Sequence, residues 1–136
     1  MQIQKLWFAD EKIFILTDDG RQLWQSLLWY QRLLYATPEQ RLDYKYDHIG
    51  IRWEEIDEDM SVESFFYDDP EPVGISRLFL TRPELNASAV ARRMGIQQSL
   101  LAAYIRGSKK PSKEREQEIL NTIRQIGSEL AAITLN

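Results

Sequence analysis

Carboxylates and a single histidine are the side chains in the first half of the chain that could do catalytic or metal chemistry. The acids between Glu54 and Asp59 could hold a cation, but a calcium loop needs a regular ligand spacing with glycine, which is absent here. His48 is the only histidine, and no Ser-His-Asp arrangement or phosphate-binding glycine loop can be drawn around it. The sequence therefore predicts no catalytic residue, no metal site and no cofactor, and we expect a protein that is not an enzyme.

Basic side chains are concentrated in the second half of the chain. Residues 1 to 79 carry 8 Lys and Arg against 16 Asp and Glu, a net charge of minus 8, whereas residues 80 to 136 carry 9 against 5, or plus 4. Seven basic side chains lie within residues 82 to 113: Arg82, Arg92, Arg93, Arg106, Lys109, Lys110 and Lys113. Only one acid, Glu84, lies among them. A polyanion would be attracted to the second half and repelled by the first.

The composition is that of a globular protein of one or two small domains. The chain has 136 residues, of which 43% are apolar and 28% charged. It has no cysteine, which excludes disulfides, thiolate metal sites and cysteine nucleophiles. No apolar run approaches the ~18 residues of a membrane-spanning helix, and residues 1 to 5 do not resemble the start of a signal peptide. We expect a soluble, cytoplasmic protein that does not insert into a membrane.

The order of strand and helix patterns predicts an α+β fold that begins with an antiparallel β-meander. β-branched and aromatic residues alternate with turn signals, first at Asp10-Glu11 and then at Asp19-Gly20. Strands are predicted at residues 6–8, 12–17, 21–24 and 44–53, and short helices at 27–35, after Thr37 and near Ser61. Thr37-Pro38-Glu39-Gln40 combines a capping residue, a proline at the first helical position and a glutamine three residues after the cap.

A proline-rich stretch divides the chain into two predicted domains. Two prolines and a glycine lie between Asp68 and Gly74, and beyond them the pattern is entirely helical. We therefore predict an acidic, aromatic-rich domain at residues 1–67, a linker at 68–83 and a helical domain at 84–136.

Residues 87 to 106 have the pattern of two helices joined by a tight turn. Such a pair needs a small residue where the helices touch and a residue tolerant of positive φ in the turn, and Ala91 and Gly95 meet these needs. The apolar residues of the segment fall where the pair must face its core: Val90, Met94, Ile96, Leu101 and Tyr104.

This pattern resembles the helix-turn-helix of the lambda repressor and Cro family over residues 88 to 99. The segment from Arg106 to Ser112 is also similar to the family's exit from its recognition helix. The resemblance implies a lambda-repressor-like all-α domain that binds double-stranded DNA, with the protein acting as a bacterial transcriptional regulator.

The same resemblance assigns roles to individual side chains. Residues that open the recognition helix would contact base edges in the major groove, and basic residues around the motif would contact phosphates without reading sequence. The implied base-reading residues are Gln97, Gln98, Ser99, Ala102 and Ala103. The implied phosphate contacts are Arg92, Arg93, Arg106, Lys109 and Lys110.

Two departures from that family leave a second function open. Thr81-Arg82-Pro83 interrupts the stretch where the family has a full first helix, and Leu100 places a large apolar side chain beside the base-reading residues. The alternative is a protein-interaction adaptor, or an antitoxin-like partner, whose degenerate helix-turn-helix presents Leu100 to another protein.

A long final helix is predicted from Ser112 to about Thr134. Its isoleucines and leucines step by four and three residues, the spacing of a helical seam: Ile119, Ile123, Ile126, Leu130 and Ile133. The seam either packs within the chain or forms the contact of a homodimer, and both alternatives stay open.

The first domain resembles a bacterial family of uncharacterised small domains. The resemblance lies in residues 27 to 41 and in residues 50 to 61, which follow a Gly-Ile-x-Trp-x-x-Leu-Asp-Glu-Asp-Ile-Ser type of pattern. It implies an α+β fold, sometimes with a helix-turn-helix attached, and no activity. A ligand or a protein partner for this domain stays open.

Overall fold

The protein has an α+β fold with two antiparallel three-stranded sheets followed by helices. The computed structural model describes residues 2–136, so position 1 of the predicted first domain lies outside the described residues. The chain divides into two compact units, a first that ends at Pro72 and a second from Val73 to Asn136. Each unit has its own apolar core.

The first sheet is the meander that the sequence predicts. It contains β1 (Ile3–Ala9), β2 (Lys12–Thr17) and β3 (Gln22–Ser26) in that order. Asp10 and Glu11 both have positive φ, 52° and 59°, in the two-residue turn between β1 and β2. Such a turn matches the right-handed twist of a hairpin, which fixes the register of the first two strands.

The two faces of the first sheet differ in chemistry. Ile13 and Ile15 point into the core and are fully buried. On the opposite face Trp7 stacks on Phe14 with ring centroids 5.4 Å apart, and the ammonium of Lys12 lies 4.3 Å from the ring centroid of Trp24. Alternation along β2 therefore separates the aliphatic core from a half-buried aromatic row.

Short helices connect the first sheet to the second. Leu27–Trp29 and Glu63–Phe66 are 3-10 turns, and α1 (Gln31–Leu34) and α2 (Pro38–Leu42) are α-helical. At the start of α2 the Thr37 hydroxyl accepts from the Gln40 N–H at 3.1 Å, and the Gln40 side chain accepts from the Thr37 N–H at 2.9 Å. The predicted capping box is thus present.

The second sheet contains β4 (Lys45–Tyr46), β5 (Gly50–Trp53) and β6 (Glu58–Ser61), again antiparallel and in chain order. The prediction of one strand over residues 44–53 was wrong, because the chain reverses between β4 and β5. The Asp47 carboxylate accepts from the N–H groups of Ile49 and Gly50 at 2.8 and 3.1 Å, which closes a turn.

Both sheets contribute to one core in the first unit. Its buried members are Ile3, Ile13, Ile15, Leu27, Leu33, Ile51, Trp53, Met60, Val62 and Phe65. Trp53 is fully buried, and its indole N–H donates to the Arg41 carbonyl at 2.9 Å. The Arg41 side chain donates in turn to the carbonyls of Leu33 and Leu34, so that these groups at the end of α1 have partners.

The second unit is all-α. It contains α3 (Gly74–Leu80), α4 (Ala87–Met94), α5 (Gln98–Arg106) and α6 (Lys113–Ala131). The core consists of Ile75, Phe79, Val90, Ala91, Leu101, Tyr104 and Ile119. None of the helices in residues 2–136 combines the length and apolar character needed to cross a membrane.

The position of α3 differs from the predicted linker at residues 68–83. Ile75 and Phe79 are buried in the core of the second unit, so most of the second half of that segment is helix. The residues that disfavour regular structure, Pro70, Pro72 and Gly74, all lie before α3 or at its first residue. The irregular segment therefore ends where α3 begins.

Candidate functional site

The first helix of the candidate site, α4, is fixed at its start and along its buried face. The Asn86 side chain accepts from the Ala89 N–H at 3.0 Å and so satisfies one of the unpaired donors at the helix start. Ala91 is fully buried, as expected for the residue where two helices touch. A larger side chain there would separate α4 from its neighbours.

The turn between α4 and α5 consists of residues 95 to 97. Gly95 lies in the left-handed region with φ 74°, and its N–H donates to the Arg92 carbonyl at 3.1 Å. The Ile96 N–H donates to the Ala91 carbonyl at 3.0 Å. These bonds end α4 and turn the chain sharply towards α5, which is the role that the sequence predicts for glycine at this position.

The second helix, α5, buries one side and exposes its first turn. Leu101 and Tyr104 are buried in the core. The five predicted base-reading residues lie on or beside this helix: Gln97, Gln98 and Ser99 are exposed, and Ala102 and Ala103 are half-buried. Within residues 2–136, no hydrogen bond or ion pair engages the side chains of Gln97, Gln98 or Ser99. The turn thus presents two amides and a hydroxyl together on an exposed surface, where they can donate and accept hydrogen bonds.

Basic side chains surround this surface, but they are not equivalent. All five predicted phosphate contacts lie at exposed positions, and four of them are Arg92, Arg106, Lys109 and Lys110. The fifth, Arg93, pairs with Glu129 of α6 with 2.6 Å between Nη1 and Oε2. The hydrogen bond from Arg93 holds the pKa of the Glu129 carboxyl below its usual value.

The pairing of Arg93 changes the interpretation of that residue. Its guanidinium is engaged by the chain itself, so Arg93 links the end of α4 to the last turns of α6. Because the two residues are 36 positions apart, no local pattern in the sequence indicates the pair. Opposite charges near the ends of two predicted helices were the only available signal.

The predicted seam of the last helix divides into two parts. Ile119 is fully buried, and Ile123 and Ile126 pack against the same core. Leu130 and Ile133 are 61% and 62% exposed, and Ile133 lies beyond the end of α6. The first three residues therefore pack within the chain, and Ile119 has no surface left for contact with a second chain.

Two further contacts define how α5 is held. The Ser76 hydroxyl of α3 donates to the Tyr104 carbonyl at 2.9 Å, and both residues are buried. Leu100, which the adaptor alternative presents to another protein, is half-buried and packs against the core of the second unit. The short α3 thus supports the helix whose first turn carries the exposed amides.

The acidic segment of the first unit forms ion pairs within the chain. The Arg52 guanidinium lies 3.4 Å from the Glu54 carboxylate, 2.8 Å from that of Asp57 and 2.9 Å from that of Asp59. The hydrogen bond from Arg52 lowers the pKa of Asp57. In the described part of the chain no three His, Cys, Asp or Glu side chains group as metal ligands would.

The first unit also contains a buried chain of polar side chains. The Tyr30 hydroxyl donates to the Gln25 side-chain carbonyl at 2.8 Å, and the Gln25 amide donates to the Ser64 hydroxyl at 2.7 Å. Ser64 in turn donates to the Ser61 carbonyl at 2.6 Å. Burial raises the pKa of Tyr30. Since each group has a partner, the chain of bonds stabilises this core instead of presenting a reactive group.

The first unit is a small α+β domain with two three-stranded sheets. The chain belongs to the family described as Protein of unknown function (DUF2442), whose match covers residues 3–71. This agrees with the resemblance carried by residues 27–41 and 50–61, and residues 72–136 lie outside the match. No curated protein and no solved structure matches the chain.

Proposed function

We propose that the protein binds double-stranded DNA in a sequence-specific manner through α4 and α5, and that it acts as a cytoplasmic bacterial transcriptional regulator. In this proposal α4, the turn at residues 95–97 and α5 are a lambda-repressor-like helix-turn-helix. α5 is the recognition helix and acts in a homodimer. The first unit binds a ligand or a protein partner, or contributes to the dimer.

The observation that carries this proposal is the exposed first turn of α5. Gln97, Gln98 and Ser99 project from the start of a helix whose other side is anchored by Leu101 and Tyr104. In helix-turn-helix proteins the start of the recognition helix contacts base edges in the major groove. A glutamine can bond an adenine in a bidentate manner, and a serine can bond several bases.

The exposed cations around α5 support the same partner. Arg92, Arg106, Lys109 and Lys110 have the charge that phosphate contacts require. Arg93 is paired with Glu129, so at most the other four side chains neutralise phosphates. At most four neutralised phosphates predict that the logarithm of the affinity falls with the logarithm of the salt concentration at a slope no steeper than about −3.6.

The test is duplex binding by the full chain as a function of salt, first on a pool of random duplexes and then on the sequences selected from it. Gln98→Ala should relax the base preference at one position at a cost of roughly 1 to 3 kcal/mol. Lys109→Ala should weaken binding to all duplexes alike and reduce the salt slope by about 1.

Gln125→Ala is the matched control, because Gln125 is an exposed glutamine on α6, outside the two helices and the turn of the candidate surface. It should change neither the base preference nor the salt slope. An absence of duplex binding at low salt would exclude the proposal, and equal effects of Gln98→Ala and Lys109→Ala would exclude α5 as the recognition helix.

The adaptor alternative has less support. It depended on two departures from the repressor family, Leu100 and the interruption at Thr81-Arg82-Pro83. Leu100 packs against the core of its own unit, which weakens the first. The second still favours the adaptor, because α3 before that interruption has only seven residues.

A further inference from the structure

The last helix extends beyond the core that it packs on. Burial falls along α6 from Ile119, which has no exposed surface, to Leu130, which is 61% exposed. Leu135, beyond the helix, is 98% exposed. Three large apolar side chains, Leu130, Ile133 and Leu135, therefore lie in solvent at one end of the second unit, which favours their burial by another surface.

An apolar groove lies at the opposite end of the same helix. It has a volume of about 280 Å³ and is lined by Gly74, Ile75 and Leu78 on α3 and by Lys113, Glu116, Gln117 and Leu120 on α6. Ile75, Leu78 and Leu120 supply its apolar walls.

The exposed end cannot fill the groove of its own chain. α6 is one continuous helix from Lys113 to Ala131. Leu120 and Leu130 are ten residues apart on it, or about 15 Å at 1.5 Å per residue. The groove and the exposed end of one chain thus cannot contact each other. A second copy whose α6 runs antiparallel would place its exposed end beside the groove of the first, and its groove beside the exposed end of the first.

The composition of the end of α6 suits burial in a groove of this kind. Glu129 is the only charged side chain between Gln125 and Asn136, and it is paired with Arg93 of its own chain. The segment that would enter the groove therefore brings no unpaired side-chain charge into it. Gly127 lies two turns after Leu120 on the same face and Ala131 lies one turn further, so a second helix could approach closely there.

We propose that two copies of the chain pair through α6, antiparallel, with the apolar end of each helix in the groove between α3 and α6 of the other. The pairing rests on the proposed function in one respect: it would supply the homodimer that a two-fold DNA site requires. The contact itself depends on the groove and the exposed end. Each contact occurs twice, as a two-fold axis requires.

Sedimentation of the full chain without DNA tests the pairing. The wild type should be a dimer at tens of micromolar, and Gly127→Lys and Leu130→Glu should each weaken the dimer at least tenfold. Beyond its chain neighbours and the backbone of its own helix, nothing lies within 4 Å of a Cβ built at Gly127, so Gly127→Lys should leave the monomer folded. Circular dichroism verifies this.

Two matched controls should leave the dimer unchanged. Gln125→Lys adds the same charge two residues away on an exposed position of α6, and Leu42→Glu replaces an apolar residue that is 67% exposed in the first unit.

A further test, by disulfide cross-linking, uses the absence of cysteine from the chain. The double variant Gln117→Cys/Ile133→Cys should form a disulfide-linked dimer on mild oxidation, and neither single variant should.

A strictly monomeric wild type at 100 micromolar would overturn the pairing, and so would a dimer that resists both Gly127→Lys and Leu130→Glu. A monomeric wild type would also remove the homodimer from the proposed function, but either result leaves duplex binding by α5 open to measurement. A dimer that obeys these expectations but binds no duplex would overturn the DNA proposal alone.

Discussion

The Ser76 hydroxyl donates a hydrogen bond of 2.9 Å to the Tyr104 carbonyl and thereby links α3 directly to α5. Both residues are buried. A serine in a helix of only seven residues thus holds the helix that carries Gln98 and Ser99. The orientation of the exposed amides depends on this contact as well as on the turn at Gly95.

Ser76→Ala should lower the free energy of unfolding of the second unit by roughly 1 kcal/mol or somewhat more, because a buried carbonyl loses its side-chain partner. Far-UV circular dichroism during urea unfolding measures this. Ser88→Ala, at an exposed position of α4, is the control and should change stability by less than ~0.5 kcal/mol. Equal effects of the two variants would mean that the bond to Tyr104 does not stabilise the unit.

Comparing Gly95→Ala with Gly127→Ala separates the effect of backbone conformation from that of steric contact. An added Cβ at either glycine would meet nothing within 4 Å beyond its local backbone and chain neighbours, but only Gly95 of the two has positive φ, at 74°. Gly95→Ala should destabilise the second unit by roughly 1 kcal/mol. Gly127→Ala, inside α6, should stabilise it by up to about 1 kcal/mol.

We expect the two variants to change the stability of the second unit in opposite directions. Thermal unfolding measures this at a protein concentration low enough to keep the chain monomeric. Loss of stability in both variants would contradict it. Gly95→Asn should be milder than Gly95→Ala, because asparagine tolerates the left-handed region.

The ion pair between Arg93 and Glu129 predicts a specific pH dependence. Because the pKa of Glu129 is lowered in the folded chain, the pair stabilises the fold above the ordinary pKa of 4.5, and this is lost as the pH falls through the lower folded value. Titration of the Glu129 carboxyl by NMR should show a depressed pKa in the wild type.

In Arg93→Gln the pKa of Glu129 should return toward 4.5, and the stability difference from wild type should disappear at low pH. An unchanged Glu129 titration would show that Arg93 does not pair with it in solution. If duplex affinity were unaffected by Arg93→Gln, this would agree with the exclusion of Arg93 from the phosphate contacts.

Gly50→Ala should damage the second sheet. A Cβ on Gly50 would lie 2.6 Å from the Met60 carbonyl oxygen on the neighbouring strand, and backbone cannot move aside as a flexible side chain can. We expect a loss of roughly 1 to 3 kcal/mol from such a clash. Tryptophan fluorescence reports this unit, since all four tryptophans lie in it. Ile49→Ala, at an exposed neighbouring position, should lose much less.

The sequence by itself determined those features that depend on residues a few positions apart. The capping box of Thr37 and Gln40 and the left-handed turn at Gly95 arise from local hydrogen bonds and allowed backbone angles, which the residue types specify directly. Alternation of apolar residues similarly indicated the strands of the first sheet and the α+β class.

The tertiary structure decided which of the predicted side chains remain available to contact DNA or another protein. Arg93 looked equivalent to Arg92 in sequence and Leu100 looked available to a partner, yet Arg93 is paired with Glu129 and Leu100 packs on the core. The division of the seam between buried Ile119 and exposed Leu130 depends on where the core ends. These outcomes follow from which helices meet in space, and that is set by the packing of the whole unit and not by spacing along the chain.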